Sequence, residues 1–181
     1  MRRVIVAALV ASALGFGCGD EEDPDGDHGA GDVAVATLAA KSGNTTLAGS
    51  VRVTGAAPSL SLTVMVSGAP PGMHGVHIHE TGNCDAPDAM SAGAHWNPSM
   101  QMHGSPGATA HLGDLGNMTV AADGTGMLTA TNAAWQAGNG SAMDVIGKAI
   151  VVHAMPDDFA MQPAGNAGAR IGCGVITAHS H

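Results

Sequence analysis

Hydrophobic and polar residues follow one another in short segments broken by glycine-rich punctuation. Residues 33–40 (VAVATLAA), 46–54 (TLAGSVRVT) and 60–67 (LSLTVMVS) alternate or are β-rich, with SGN and GAAP between them. A period of two sends successive side chains to opposite faces, so these segments are predicted to be strands. A fourth strand is predicted over 73–79 (MHGVHIH). The pattern returns at 115–122 and 126–132, joined by the turn signal ADGTG, then at 145–153 (VIGKAIVVH) and 171–178 (IGCGVITA). Eight strands result, an all-β chain with no internal repeat. Two segments have no period at all: 80–114, rich in Gly, Pro, Ala, Asn and His, and 154–170. Loops of that length inside a compact domain are uncommon unless they are functional or held by something besides a core.

Composition narrows the picture. The chain has 181 residues, enough for one domain with a real core, and no Tyr, so that core must be built from Val, Ile, Leu, Met and Ala. The opening MRRVIVAALVASALGFGC places two arginines before an apolar run too short to span a bilayer, the form of an export signal over residues 1–18. Cys18 stands where a bacterial lipoprotein is cleaved and lipidated; cleavage between Ala13 and Gly17 is the alternative. Residues 19–32 (GDEEDPDGDHGAGD) are acidic, Gly-rich and without apolar period, and read as a disordered linker. This leaves 33–181 as the globular domain. The expected location is the periplasm or cell envelope, with membrane contact only through lipid on Cys18.

The formal net charge of −9 is concentrated in the leash: residues 33–181 carry eight acidic and four basic side chains. Two divalent metals would nearly cancel that balance. No basic patch exists to release counterions from phosphate, so a nucleic-acid partner is not expected. Apart from Cys18, two cysteines remain, Cys84 and Cys173. In an oxidising compartment a disulfide is the natural pairing, stabilising by about 4 kcal/mol; two buried thiols are the alternative.

Seven of the ten histidines fall between His74 and His153. His77 and His79, two apart on a predicted strand, point to one face about 7 Å from each other, within reach of one metal. His95, His103, His111 and Asp114 lie in the first aperiodic segment and form a tetrahedral zinc complement of three nitrogens and a carboxylate. Metal binding would also order a loop that has little apolar residue content. His153, at the end of an apolar strand, is a further ligand for the first site. The terminal HSH reads as a frayed end.

The segments GMHGVHIHETGNC, SAGAHWNP, MHG, HLGDLGN, VVHAMPDD and GNAGARIGCGVI arrive in the order of the motifs of the Cu,Zn superoxide dismutase family, which the chain resembles over about residues 33–181. The resemblance implies an eight-stranded antiparallel Greek-key β-barrel, an immunoglobulin-like sandwich with two long functional loops. It implies copper on His77, His79, His95 and His153, and zinc on His95, His103, His111 and Asp114, with His95 bridging as an imidazolate. Arg170 would sit beside the copper, Asp157 would link the sites through His77 and His103, and His74 would brace the copper strand from behind. Cys84 and Cys173 would tie the metal-binding loop to the last strand. The implied activity converts superoxide to O₂ and H₂O₂ by alternate reduction and oxidation of Cu(II)/Cu(I), with Zn(II) structural, His95 delivering a proton and Arg170 holding the anion.

Two departures bear on that reading. The segment from Cys84 to His95 is shorter than in many bacterial members, and the second loop (MPDDFAMQPAGNAGA) is short and contains no Lys. Guidance of superoxide then rests on Arg170 and the metals, and a slower, less salt-sensitive rate is expected. Met100 and Met102, which flank the zinc loop, read as core or surface filler, with copper capture as the alternative. The competing function is a non-catalytic copper- and zinc-binding or buffering protein, which would need neither the His95 bridge nor Arg170. Monomer and homodimer both remain open.

Overall fold

A computed structural model describes residues 31–180, apart from Thr45 and Ala108. The expected signal and Cys18, with nearly all of the acidic leash, lie outside the described residues. The strands are β1 (Asp32–Ala40), β2 (Ala48–Thr54), β3 (Leu60–Ser67), β4 (Gly72–His79), β5 (Asp114–Val120), β6 (Gly126–Asn132), β7 (Ala149–His153), β8 (Arg170–Val175) and a short β9 (Thr177–Ala178).

All strand pairings are antiparallel, in the order β2-β3-β6-β5-β4-β7-β8-β1, and a β1–β2 ladder closes the barrel. The β3–β6 and β4–β7 neighbours are not consecutive in sequence, which makes the topology a Greek key. Closure through β1–β2 covers most strand edges, while β5 and β6 meet only at Val120 and Gly126. Alternation builds the interior: on β3, Leu60, Leu62, Val64 and Val66 are buried while Ser61, Thr63, Met65 and Ser67 face outward. Val51, Val53, Val76, Ile78, Ile150 and Val152 join the same core, and Trp135 enters it from the β6–β7 connection, donating its indole N–H to Leu112 O at 3.1 Å.

The strand limits differ from the sequence pattern in a few places, each with a local cause. β1 starts at Asp32, because its buried carboxylate takes the Nε of Arg52 on β2 at 3.0 Å. One residue of the acidic tract thus belongs to the barrel. β7 starts at Ala149 and not at 145: Val145 is core, but Lys148 N–H closes a turn onto Val145 O through Gly147 at φ +80°. The last apolar run is split at Ile176, whose backbone pairs with Gly147 and Lys148. The chain end is held as far as His179, whose N–H donates to Val33 O at 3.1 Å.

β4 and β7 lose the alternation that β3 keeps. From His74 onward every residue of β4 is buried, as is all of β7. Their outer faces are covered by the two aperiodic segments, residues 80–113 and 154–169. The first is pinned by the Cys84–Cys173 disulfide, a 3-10 turn at Met90–Ala92 and a hydrogen bond from Lys41 Nζ to Cys84 O. A second small core of Ala89, Ala92, Ala149, Val151 and Cys173 forms beneath it, outside the barrel wall.

Candidate metal centre

The site is built on the outer face of β4, β5, β7 and β8, under the two loops. Strand parity places it there. Val76 and Ile78 point into the barrel core, so His77 and His79 point out. On β7, Ile150 and Val152 point in, and His153 takes the outer side. Two β-bulges then re-aim one residue each. In the β4–β5 ladder Val76 faces Gly116 but His77 faces Asp114, so Leu115 is the extra residue and Asp114 lies beside His77. In the β7–β8 ladder Val152 faces Gly172 but His153 faces Arg170, with Ile171 passed over.

Two buried groups of potential ligands result: His77, His79, His95 and His153, and His95, His103, His111 and Asp114, the atoms of each within 4.8 Å of one another. The polar atoms at their centres test whether copper and zinc fit. His77 Nδ1, His79 Nε2, His95 Nε2 and His153 Nε2 are buried without a hydrogen-bond partner, as are His103 Nδ1 and His111 Nδ1. A buried polar atom without a partner is costly, and six converging on two points is the signature of cation sites. His95 belongs to both groups: its Nδ1 stands 3.0 Å from Asp114 Oδ1, on the side where His103 Nδ1 and His111 Nδ1 approach the same carboxylate at 3.1 and 3.4 Å. Four imidazoles suit copper in either oxidation state, and three imidazoles with one carboxylate suit tetrahedral zinc. The donor sets fit both metals.

The far nitrogen of most of these rings is tied down, which fixes tautomer and orientation. His79 Nδ1 donates to Gly93 O at 2.9 Å and His153 Nδ1 to Gly168 O at 3.3 Å. His77 Nε2 and His103 Nε2 donate to the two oxygens of one carboxylate, Asp157, at 2.9 and 2.8 Å. His74, on the opposite face of β4, places its ring nitrogens 2.7 Å from His153 O and 2.8 Å from Pro70 O, joining β4 to the end of β7.

Burial also sets the protonation states. It pulls His79 down to about 2 and His153 to about 4, with the Gly93 and Gly168 carbonyls opposing; it holds His77 far below the ordinary imidazole value and lowers His111 too. These rings keep a lone pair for a metal at neutral pH. Asp114 is held below the usual carboxylate range: burial would raise it, but hydrogen bonds from His95 and Gly104 N–H outweigh that. Asp157 is raised by burial, against the pull of His103.

The copper-side group opens into a cleft of about 820 Å³, with His79, His95 and His153 in its wall beside Arg170. The guanidinium is fixed by two hydrogen bonds of 2.8 Å, from Nη1 to Ala89 O and from Nη2 to Gly93 O. Gly93 O therefore serves both Arg170 and His79.

Residues 47–176 match the family described as Copper/zinc superoxide dismutase (SODC). The Cu-Zn superoxide dismutase of Caulobacter vibrioides is 42% identical over 149 residues, covering 78% of this chain and 84% of that protein. The chain belongs to the copper/zinc superoxide dismutase family. Among solved structures, the clock protein EA4 is similar at TM-score 0.70 and 28% identity, over 85% of this chain and 99% of that one. A SOD-like protein from Bacillus subtilis is similar at TM-score 0.67 and 30% identity, over 78% and 96%. A fold alone does not name an activity, and the residues must carry it.

In this member of the superoxide dismutase family, three positioning residues escape sequence reasoning. Asn117 clamps Asp157 by its backbone, accepting from Asp157 N–H at 2.6 Å and donating to Asp157 O at 3.0 Å. Gln162 does the same to the candidate ligand His103, accepting its N–H at 3.0 Å and donating to its carbonyl at 2.8 Å. Gly165, at φ +65°, passes so close that a Cβ would fall 1.7 Å from Asp157 Oδ1. Asn117 and Gly165 lie inside motifs already read, HLGDLGN and GNAGAR. Nothing in the sequence marks Gln162.

Proposed function

We propose that this chain dismutates superoxide outside the cytoplasm, with copper on His77, His79, His95 and His153 and zinc on His95, His103, His111 and Asp114. The observation that carries the reading is His95, whose two ring nitrogens face two different ligand sets. A metal-storage protein has no use for such a shared imidazole. Copper held there would supply the one-electron couple by which two superoxides and two protons become O₂ and H₂O₂, and zinc, fixed in oxidation state, would hold geometry.

The chain's residues do the rest. Arg170 receives the anion from the cleft; its guanidinium, already fixed on two carbonyls, holds charge and direction without reorganising. His95 Nε2, when free of metal, holds a proton for the reduced product, and Nδ1 keeps the ring in place on the zinc side. Asp157 holds His77 and His103 in register, so the two sites share one orientation.

The export reading is supported by the Arg-Arg apolar opening ending at Cys18 and by the Cys84–Cys173 disulfide, which belongs to an oxidising compartment. Lipid on Cys18, followed by an acidic leash, would hold the barrel at an envelope membrane. Fractionation of cells making the full chain and its Cys18→Ala form tests this: the wild type should sediment with membranes and the variant should be released.

Metal analysis and a dismutation assay on the purified protein, beside His153→Ala, test the activity. The wild type should hold one copper and one zinc and dismutate well above free-copper controls, while His153→Ala loses copper and keeps zinc. Full metal content with no activity above the controls would overturn catalysis in favour of metal buffering.

A further inference from the structure

Methionine is distributed unlike the other large apolar side chains. Leu38, Leu60, Leu62, Ile78 and Ile150 are buried, whereas among the described residues every exposed large hydrophobic side chain except Phe159 is a methionine. A side chain gains stability by leaving water, and these eight thioethers forgo part or most of that gain. Three of them, Met65, Met73 and Met127, stand on the barrel wall. The other five, Met90, Met100, Met102, Met155 and Met161, belong to the two loops that enclose the ligands.

Two of the five stand on the cleft itself. Met90, 61% exposed and from the first loop, and Met161, 52% exposed and from the second, line the same cavity as His79 and His153. Met155 packs on that wall, its Sδ 3.3 Å from where a Cβ on Gly168 would lie, and Gly168 O fixes the His153 ring. Deeper in, Nε2 of His79 and of His153 are buried with no protein partner. The cleft thus runs from soft sulfur donors in solvent to imidazole donors in the interior. Thioethers select Cu(I), and imidazoles hold copper in both states.

We propose that Met90 and Met161 form a Cu(I) capture site at the mouth of the cleft, through which the metal passes to His79 and His153. This rests on the copper reading of the imidazole group. Transfer is ligand exchange: sulfur–copper bonds break as nitrogen–copper bonds form, and no electron moves. The site explains why a cleft serving a diatomic anion carries two large thioethers on its walls.

The test uses the full chain, zinc-loaded and copper-free. Copper is offered as the coloured Cu(I)–bathocuproine disulfonate complex, or as Cu(II)–glycine, and uptake is followed in time. Met90→Leu/Met161→Leu is compared with Met65→Leu/Met127→Leu, which alters a directly paired couple on the β3–β6 wall. The cleft variant should take up Cu(I) about tenfold more slowly, the loss typical when groups around a metal site are removed. Its Cu(II) uptake should be unchanged, and the wall variant should match wild type for both. Equal Cu(I) rates in all three proteins overturn the proposal, as does equal slowing of Cu(I) and Cu(II). Failure of the wild type to take up copper in either state would overturn the copper reading and the capture site with it.

Discussion

Arg170 stands directly opposite His153 across the β7–β8 ladder, because a bulge passes over Ile171. Without that bulge the residue beside the candidate copper ligand would be an isoleucine. Arg170 is then the group most exposed to test by substitution. Arg170→Ile removes a charge-assisted contact worth about 1.5–3 kcal/mol, so kcat/KM should fall roughly tenfold to a hundredfold with copper retained. Arg170→Lys, which keeps the charge but cannot reach both Ala89 O and Gly93 O in a fork, should fall between. Unchanged kcat/KM in Arg170→Ile would remove the anion-holding role.

Asp157 is the hinge of the two ligand sets, since its oxygens serve His77 and His103 separately. Asp157→Asn keeps the shape but puts an amide N–H against one of two ring N–H donors. Zinc affinity, measured by competition with a chromophoric chelator, should drop about 10–100-fold. A change confined to copper would contradict the link.

Gln162 grips the His103 backbone at both its N–H and its carbonyl. Gln162→Ala should leave the copper-side absorption spectrum intact while zinc dissociates up to about thirtyfold faster, because two hydrogen bonds of about 1 kcal/mol each are lost. Identical zinc off-rates would mean that the loop is held by other contacts.

The metal-free protein should lose stability as pH falls below 6.5. Imidazoles of the unfolded chain protonate near 6.5, whereas burial holds His153 to about 4 and His79 to about 2 in the fold. The unfolded state therefore binds more protons in that window, and the free energy of unfolding decreases by about 1.4 kcal/mol per pH unit for each such ring. Above pH 7 both states are neutral and these rings contribute no slope. Thermal melts of the stripped protein from pH 8 to about 4.5 should show a plateau and then a decline; a flat profile would contradict buried neutral imidazoles.

Arg170 is the only Lys or Arg among the described residues lining the cleft, and Glu80 lines it as well. Electrostatic steering is correspondingly weak. The dismutation rate should vary little between low and physiological ionic strength, and a steep fall with added salt would point to guidance from charges elsewhere on the surface.

Much of this protein can be read in one dimension. The eight strands follow from alternation and glycine punctuation, because a period of two is a local property of the chain. The members of the two buried histidine groups are legible as motifs in order, because imidazole and carboxylate types at those spacings have few other uses. The disulfide follows from the two cysteines read against an expected oxidising compartment. Strand limits are read less well, since Val145 is as apolar as a strand residue yet is buried from a turn.

Contacts between distant segments are decided only by the folded chain. Period-two reasoning places His77 and His79 on one face but says nothing of which residue lies opposite them; that depends on ladder register, and two bulges set it at Asp114 and Arg170. The grips of Asn117 on Asp157 and of Gln162 on His103 join residues 40 and 59 positions apart. Such pairs leave no local pattern, because a polar residue in an aperiodic loop looks the same whether it faces water or holds a ligand. The chain's composition provides the chemistry; register and loop packing aim it.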